Sequence, residues 1–329
     1  MPTSPSPDRP RLIVTRRLPR TVEAALVERF DTVLSTDDRQ MNAADLQRAL
    51  AEADGILCTI TDRFTAEVLS AYPVRTRILA NYGAGVDHID REAARAHEIT
   101  VTNTPGVLTD DTADLTMTLI LSLLRRAGEG ERQLRGGRWS GWHPTHLMGR
   151  RVSGRTLGIV GGGRIGRAVA ARAHHGFGMR VLMWGRTQPR PEDLKAIGAE
   201  WYPTLDGMLV ECDIVSLHVP GGEATERMID ARRIALMPPG SFLINTARGA
   251  VVDPDAMVNA LVAGHLAGAG LDVYPEEPKV DRRLLGLEQV VLLPHLGSAT
   301  QEGREAMGLR AILNLEAFFS GTTPPDLVR

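Results

Sequence analysis

The chain has 329 residues, of which 43% are hydrophobic and 24% charged, a globular composition and a length that fits two domains. The formal net charge is -2, which gives no electrostatic footprint for nucleic acid, and no apolar run reaches the length of a membrane span. The N-terminus carries no apolar signal segment, and the only cysteines, Cys58 and Cys212, lie in apolar runs. We therefore expect reduced thiols, no nucleic acid or membrane partner, and a cytoplasmic location.

The first third of the chain alternates between predicted strands and predicted helices. Short apolar or β-branched runs predict strands at residues 12–15, 55–60, 77–80 and 99–102. Helical patterns occupy residues 21–30 and 89–97. This rhythm predicts a parallel sheet with helices on both of its faces.

A second α/β block follows a boundary near residues 103–105. A long helix is predicted to begin near Thr109, with acidic first turns and with Arg125 and Arg126 at its end, which suits the helix dipole. Residues 128–149 are polar and Gly-rich, and we expect them to be irregular. The alternation then resumes with strands at residues 156–160, 180–184, 213–219, 241–245, 268–273 and 290–293, and a final helix at residues 299–319.

A glycine loop, GGGRIG at residues 161–166, lies between a predicted strand and a predicted helix. Gly161 permits a tight turn, Gly163 lets the backbone approach a pyrophosphate, and Gly166 lets the helix pack on the strand. The helix N-terminus offers N–H groups and partial positive charge to phosphates. The context predicts a bound dinucleotide, and the alternative is a Gly-rich turn without a ligand.

The next strand is followed by Gly185, Arg186 and Thr187, where an NAD-binding fold usually carries an acidic residue for the ribose hydroxyls. Without that carboxylate, a 2′-phosphate is not repelled, and Arg186, the Thr187 hydroxyl and Arg190 are candidates to bind it. Each charge-assisted hydrogen bond contributes about 1.5–3 kcal/mol. We predict NADPH as the preferred cofactor, with NAD possible. If Arg186 only caps a surface turn, the two cofactors would be used equally.

Arg248, Glu277 and His295 each follow a predicted strand, and the carboxyl ends of parallel strands converge on a ligand crevice. Arg248 suits the grip on a carboxylate and the polarisation of a carbonyl. His295 suits proton donation near neutral pH, and Glu277 would orient the imidazole and favour its protonated form. Singly, each residue also has a structural explanation. Together they predict hydride transfer to or from a small 2-oxo or 2-hydroxy acid.

Four segments resemble the D-isomer-specific 2-hydroxyacid dehydrogenases: GGGRIG at 161, NTARG at 245, LDVYPEEP at 271 and PHLGSAT at 294. The resemblance implies that Arg248 binds substrate, that Glu277 supports the histidine, and that His295 is the acid/base. It also implies an α/β fold of two doubly wound parallel-sheet domains. These would be a flavodoxin-like substrate domain at residues 1–103 and 299–329, and a Rossmann cofactor domain at residues 104–298 with a dimerisation arm near residues 128–149.

The resemblance implies further ligand contacts. Glycines at positions 83 and 85 allow the backbone amides of their loop to face an anion. The family resemblance implies that Ala84 and Gly85 bind the substrate carboxylate. The alternative is an ordinary turn between a strand and a helix. The cofactor contacts implied beyond Gly161, Gly163 and Gly166 come from Thr109, Arg164, Ile165, Gly185, Arg186, Thr187, Val219, Pro220, Thr225, Ala247, Arg248, Asp272, His295 and Gly297.

Three shorter segments, NTPGVLT at 103, WSGW at 139 and WGRT at 184, are similar to the glyoxylate/hydroxypyruvate reductase branch, which commonly uses NADPH. The family resemblance implies a homodimer formed through residues 128–149, with Trp142 reaching the substrate pocket of the partner. Two alternatives stay open: a dehydrogenase of another D-2-hydroxy acid, with a phenyl or branched side chain, and a nucleotide-sensing corepressor-like binding protein. His143 and His146 lack further metal ligands, so we predict no metal.

Overall fold

The computed structural model describes residues 9–328 and divides the chain into two compact units. Unit 1 comprises the described parts of Met1–Leu108 and Ala299–Arg329, and unit 2 comprises Thr109–Ser298. This division falls slightly after the predicted boundary at residues 103–104. The intervening segment belongs to unit 1 because the Thr104 amide donates to the Gly83 carbonyl at 3.0 Å and the Asn103 amide donates to the Asp326 carbonyl at 3.2 Å.

The strands and helices of residues 9–328 follow one another as the alternating pattern predicts. The strands are β1 Arg11–Val14, β2 Asp31–Val33, β3 Gly55–Thr59, β4 Ile78–Tyr82, β5 Thr100–Thr102, β6 Thr156–Val160, β7 Arg180–Trp184, β8 Ala199–Trp201, β9 Ile214–Leu217, β10 Ser241–Asn245, β11 Leu266–Leu271 and β12 Val290–Leu292. The helices are α1 Arg20–Arg29, α2 Ala43–Glu52, α3 Ala66–Leu69, α4 Arg91–Ala96, α5 Thr109–Leu124, α6 Ala127–Arg135, α7 Arg164–Ala171, α8 Pro191–Ala196, α9 Leu205–Leu209, α10 Ala231–Leu236, α11 Pro254–Val262, α12 Arg282–Leu285 and α13 Gln301–Phe319.

Each unit is built on one parallel sheet. The sheet of unit 1 has the order β2-β1-β3-β4-β5, which is the flavodoxin-like order. The sheet of unit 2 has the order β12-β11-β10-β9-β6-β7-β8, which is the dinucleotide-binding order extended by one strand. The predicted fold class, two doubly wound parallel-sheet domains, is confirmed.

The order of the second sheet explains where a ligand can enter. Strands β6, β9 and β10 are almost wholly buried, as expected for central strands covered on both faces. The strand order reverses between β6 and β9, and ligands bind outside the carboxyl ends of the strands at such a switch point. The loops after β6 and β9 to β12 therefore define the region of interest.

One local prediction was wrong. Residues 128–149 were expected to be irregular throughout, but they begin with helix α6. This helix buries none of its residues, so it lacks the apolar face that would have revealed it. The ion pair of Glu131 with Arg135, four residues apart, favours the helical conformation instead, and Arg126, just before the helix, pairs with Glu129. Among the helices of residues 9–328, none combines the length and apolarity needed to cross a membrane.

Candidate active site

The glycine loop after β6 has the shape that a pyrophosphate site requires. Gly161 has a φ of +112°, and a Cβ built there would lie 2.5 Å from the His218 carbonyl oxygen. A Cβ at Gly166 would lie 2.1 Å from the Gly161 carbonyl oxygen, so the first turn of α7 passes directly over the loop. At Gly163 a Cβ would meet no described atom within 4 Å. Gly163 caps α7 without a side-chain hydrogen bond, which leaves the first N–H groups of the helix for an anion.

The loop after β7 adjoins the glycine loop. A Cβ at Gly185 would lie 3.2 Å from the Gly162 nitrogen. Arg186 and Thr187 are exposed, and Arg186 forms no hydrogen bond or ion pair with another residue in the range 9–328. Arg190 differs, because its guanidinium lies 3.0 Å from the Asp193 carboxylate. Arg186 is therefore the more available cation at this edge.

Arg248 is held by a short network after β10. The buried Asn245 accepts the Ala247 amide at 3.0 Å and donates to the Arg248 carbonyl at 2.9 Å. The Arg248 guanidinium donates to the Ala247 carbonyl at 2.8 Å. A Cβ at Gly249 would lie 2.0 Å from the Tyr274 carbonyl carbon, so this loop packs directly against the segment after β11. That segment carries Glu277.

His295 follows β12 and takes an unusual backbone conformation, with a φ of 55° that non-glycine residues rarely adopt. The buried Asp272 holds it there. The Asp272 carbonyl accepts the His295 amide at 2.9 Å, and its carboxylate accepts the amides of Leu296 at 2.7 Å and Gly297 at 2.8 Å. Burial raises the pKa of Asp272 above its usual value, against the opposing effect of these hydrogen bonds and of His295.

Glu277 and His295 form the central contact of the site. The imidazole Nδ1 lies 2.7 Å from Glu277 Oε2, and the side chains are 28% and 33% exposed, histidine first. The other carboxylate oxygen of Glu277 accepts the Tyr274 amide at 3.0 Å. Burial alone would raise the pKa of Glu277, but the hydrogen bonds from His295 and Tyr274 and the nearby charges of His295 and Arg248 outweigh it, so the pKa is lowered.

The protonation of the imidazole follows from this contact. An ionised carboxylate only accepts hydrogen bonds, so Nδ1 carries the hydrogen that it donates to Glu277. The Nε2 atom is then the ring nitrogen available for proton exchange with a ligand. Arg248, Glu277 and His295 thus follow the neighbouring strands β10, β11 and β12.

The loop after β4, in unit 1, offers two backbone donors. The Asn81 side chain donates to the carbonyls of Gly83 at 2.9 Å and Gly85 at 2.8 Å, and the Asn103 side chain donates to the Ala84 carbonyl at 2.7 Å. The amides of Ala84 and Gly85 donate to no atom of the described chain. An anion-binding loop needs adjacent N–H groups that are free to donate, with the neighbouring carbonyls turned away by other hydrogen bonds. This loop has both features.

The loop after β9 closes the edge beside the glycine loop. Thr225 donates to the Pro220 carbonyl at 2.6 Å, which ties the loop that also contains Val219. His218, before it, lies 2.8 Å from Ser216 through its Nε2 atom. Burial lowers the pKa of His218 to about 3. A neutral histidine bonded within its own strand suits a structural role.

The remaining predicted residues lie at helix starts or in the arm. Thr109 begins α5, and Arg164 and Ile165 begin α7. Trp142 is 81% exposed. No group of three or more His, Cys, Asp or Glu side chains in residues 9–328 is arranged to hold a metal ion.

Several supporting residues were not found from the sequence. Asn81, Asn103 and Asn245 act on backbone atoms of the loops that they fix. Asp272 was expected only as a cofactor contact, and its carboxylate also accepts the Leu296 amide. An asparagine at the end of a strand was the available signal, but such a residue also commonly forms turns.

Comparison with known proteins places this site in a family. The family model described as "D-isomer specific 2-hydroxyacid dehydrogenase, NAD binding domain" matches residues 117–297. The chain is similar to the glyoxylate reductase of Thermococcus litoralis, with 44% identity over 97% of each chain.

Solved structures agree with the sequence relatives. The TT0316 protein of Thermus thermophilus has a TM-score of 0.88 and 43% identity, over 97% of this chain and 100% of that one. An NADPH-dependent glyoxylate/hydroxypyruvate reductase of Sinorhizobium meliloti, solved with NADP and malonate, has a TM-score of 0.86 and 37% identity, over 98% and 97% of the two chains.

These matches confirm the expected enzyme class, an NAD(P)-dependent oxidoreductase of the 2-hydroxy acid and 2-oxo acid pair. The family model lies within unit 2, which holds the glycine loop and the three strand-end residues, and the relatives and solved structures extend over both units. The chain belongs to the D-isomer specific 2-hydroxyacid dehydrogenase family.

Proposed function

We propose that this enzyme reduces glyoxylate and hydroxypyruvate to the corresponding 2-hydroxy acids with NADPH, and that His295 donates the proton. The observation that carries the proposal is the 2.7 Å contact between His295 and Glu277, in the site that also contains Arg248. The relatives named as glyoxylate reductase and as glyoxylate/hydroxypyruvate reductase support the substrate class.

The chemistry divides among three side chains. A bound nicotinamide would supply the hydride. Arg248 binds the substrate carboxylate and stabilises negative charge that develops on the carbonyl oxygen. His295 gives that oxygen a proton from Nε2. Glu277, bonded to Nδ1, orients the ring and stabilises its cationic form before the transfer.

The site fits a dinucleotide at the loop of Gly161, Gly163 and Gly166. Amides at Arg164 and Ile165 suit the phosphates, since they begin α7. The other proposed cofactor contacts, beside the nicotinamide half, are Thr109, Val219, Pro220, Thr225, Ala247, Asp272 and Gly297. Asp272 would add this contact to its hydrogen bonds with the His295 loop.

The preference for NADPH rests on Arg186. This exposed cation has no partner among residues 9–328, and Gly185 and Thr187 beside it contribute no negative charge. A comparison of kcat/KM for NADPH and NADH, repeated with Arg186→Ala, tests this assignment. We expect the wild type to favour NADPH and the variant to lose about ten- to hundredfold of that advantage. Equal values in the wild type would contradict it.

We assign binding of the substrate carboxylate to the free amides of Ala84 and Gly85. The assignment is supported by the hydrogen bonds of this loop. The side chains of Asn81 and Asn103 donate to its three carbonyl oxygens, which leaves the two amides without a partner in the described chain. Backbone donors of this kind bind the carboxylate, which every small 2-oxo acid carries. Selectivity among these acids must therefore come from other residues.

A homodimer formed through residues 128–149 is the proposed assembly. Trp139 is 53% exposed and Trp142 is 81% exposed on this arm, and aromatic side chains are enriched at subunit interfaces. Trp142 would reach the substrate pocket of the partner. Light scattering should give about twice the chain mass of 35.7 kDa; a monomer mass would contradict the dimer. The buried free thiols of Cys58 and Cys212 are compatible with the proposed cytoplasmic location.

A substrate panel decides between this function and its alternatives. NADPH oxidation is measured with glyoxylate, hydroxypyruvate, pyruvate and phenylpyruvate. Highest kcat/KM for the first two supports the proposal, and highest kcat/KM for phenylpyruvate identifies a dehydrogenase of another D-2-hydroxy acid. Tight NADPH binding without reduction of any acid would favour the nucleotide-sensing alternative.

A further inference from the structure

A row of threonines on α5 connects the loop that carries Arg248 to the loop that carries His295. Thr112 and Thr116 are buried and lie one helical turn apart. Thr112 Oγ1 donates to the Gly297 carbonyl at 2.9 Å. Thr116 Oγ1 lies 3.0 Å from Thr246 Oγ1. Each contact therefore reaches a loop within two residues of a catalytic side chain.

Counting hydrogens fixes the direction of these bonds. A threonine hydroxyl has one hydrogen to donate. The hydroxyl of Thr116 donates to the Thr112 carbonyl at 2.8 Å, so it accepts a hydrogen bond from Thr246. The bonds thus run from Thr246 to Thr116, from Thr116 to the backbone of Thr112, and from the side chain of Thr112 to Gly297.

The burial of this row limits its freedom. Thr116 is 0% exposed and Thr112 is 4% exposed, so a hydroxyl that rotated away would leave polar groups unpaired in the interior, which is costly. The helix between them is a rigid spacer. The two loops are consequently tied to fixed points on one face of α5.

We propose that Thr116, together with Thr112 and Thr246, is a positioning residue that sets the spacing between the Arg248 guanidinium and the His295 imidazole. It acts through the backbones of the two loops. The inference rests on the proposed roles of Arg248 and His295 in the reduction of 2-oxo acids.

The first test removes one hydroxyl and keeps the side-chain shape. Thr116→Val should lower kcat/KM for the 2-oxo acid by about three- to tenfold, the loss expected for one neutral hydrogen bond. Thr116→Ser, which keeps the hydroxyl, should regain most of that loss. The matched control is Thr118→Val, because Thr118 donates the same type of bond to the Asp114 carbonyl at 2.9 Å on the exposed side of α5. The control should keep the wild-type value.

A double-mutant cycle tests whether the row acts as one unit. Thr246→Val alone should resemble Thr116→Val, and the double variant should lose no more activity than either single variant. Full additivity of the two losses would contradict a shared contact. Thr246→Val also provides the measurement if Thr116→Val does not fold.

A spectroscopic measurement separates this proposal from the proposed function. The Cε1–H NMR signal of His295, assigned by its disappearance in His295→Gln, should move in Thr116→Val and stay in place in Thr118→Val. An unmoved signal would overturn the positioning role, even if thermal stability falls. If the wild type reduces no 2-oxo acid, the proposed function fails, and the signal still decides the positioning role.

Discussion

Two glycines of the same loop should respond in opposite ways to the addition of one methyl group. In Gly166→Ala the new Cβ would lie 2.1 Å from the Gly161 carbonyl oxygen, and it must retreat by about 1.3 Å to reach an ordinary contact of 3.4 Å. The start of α7 has to move, at a cost of about 1–3 kcal/mol. We expect the Tm without cofactor to fall by roughly 2–10 °C.

Gly163→Ala provides the contrast. Its φ of -72° suits alanine, and the new Cβ meets no described atom within 4 Å, so the Tm without cofactor should not fall. The methyl group would instead occupy the approach to the pyrophosphate. We expect the Kd of NADPH to rise about ten- to hundredfold, equivalent to about 1.4–2.8 kcal/mol.

Differential scanning fluorimetry without cofactor and fluorescence titration with NADPH measure both effects. The reasoning is refuted if Gly163→Ala binds NADPH with the Kd of the wild type. It is refuted equally if Gly166→Ala keeps the wild-type Tm, since the close approach at 2.1 Å would then carry no cost.

Three further substitutions test the supports of the reaction. Arg248→Ala should raise KM for the 2-oxo acid about ten- to hundredfold in steady-state kinetics, and an unchanged KM would remove the arginine from substrate binding. Asp272→Asn should lower both Tm and kcat, because its amide nitrogen cannot accept the amide of Leu296 or Gly297; wild-type values of both would contradict its hold on the loop. The pKa of Glu277 is lowered from 4.5, so its ionised form stabilises the fold above the unfolded-state pKa and this stabilisation is lost as the pH falls through the folded-state value. Glu277→Gln should therefore unfold at lower temperature than the wild type at about pH 7, with the difference closing in acid; a constant difference at every pH would contradict the assignment.

The order of the fold could be predicted from the sequence wherever burial leaves an apolar pattern. The strands β6, β7 and β10 were predicted with the observed bounds, because each contains an apolar run between turn residues. The edge strands β2 and β8 have three residues each and mix polar with apolar residues, so they are too short to give such a pattern. Helix α6 was missed for a related reason, since it buries no residue.

The site could be predicted in part for a different reason. Arg248, Glu277 and His295 carry chemistry that is recognisable from residue type, and the ends of parallel strands bring such residues together. Several of the contacts that hold their loops join residues far apart in the sequence. Thr112 contacts Gly297 and Thr116 contacts Thr246, and no spacing in the sequence indicates which carbonyl or hydroxyl a threonine will meet.

The proton transfer from His295 is the central claim, and one substitution tests it most directly. Glyoxylate reduction by His295→Gln is compared with the wild type under saturating NADPH, and the Kd of NADPH is measured for both proteins. We predict a decrease in kcat of about 10²- to 10⁴-fold, with the Kd of NADPH within about twofold of the wild type, well under the 1.4 kcal/mol that a tenfold change represents. Turnover by His295→Gln at close to the wild-type rate would contradict the account.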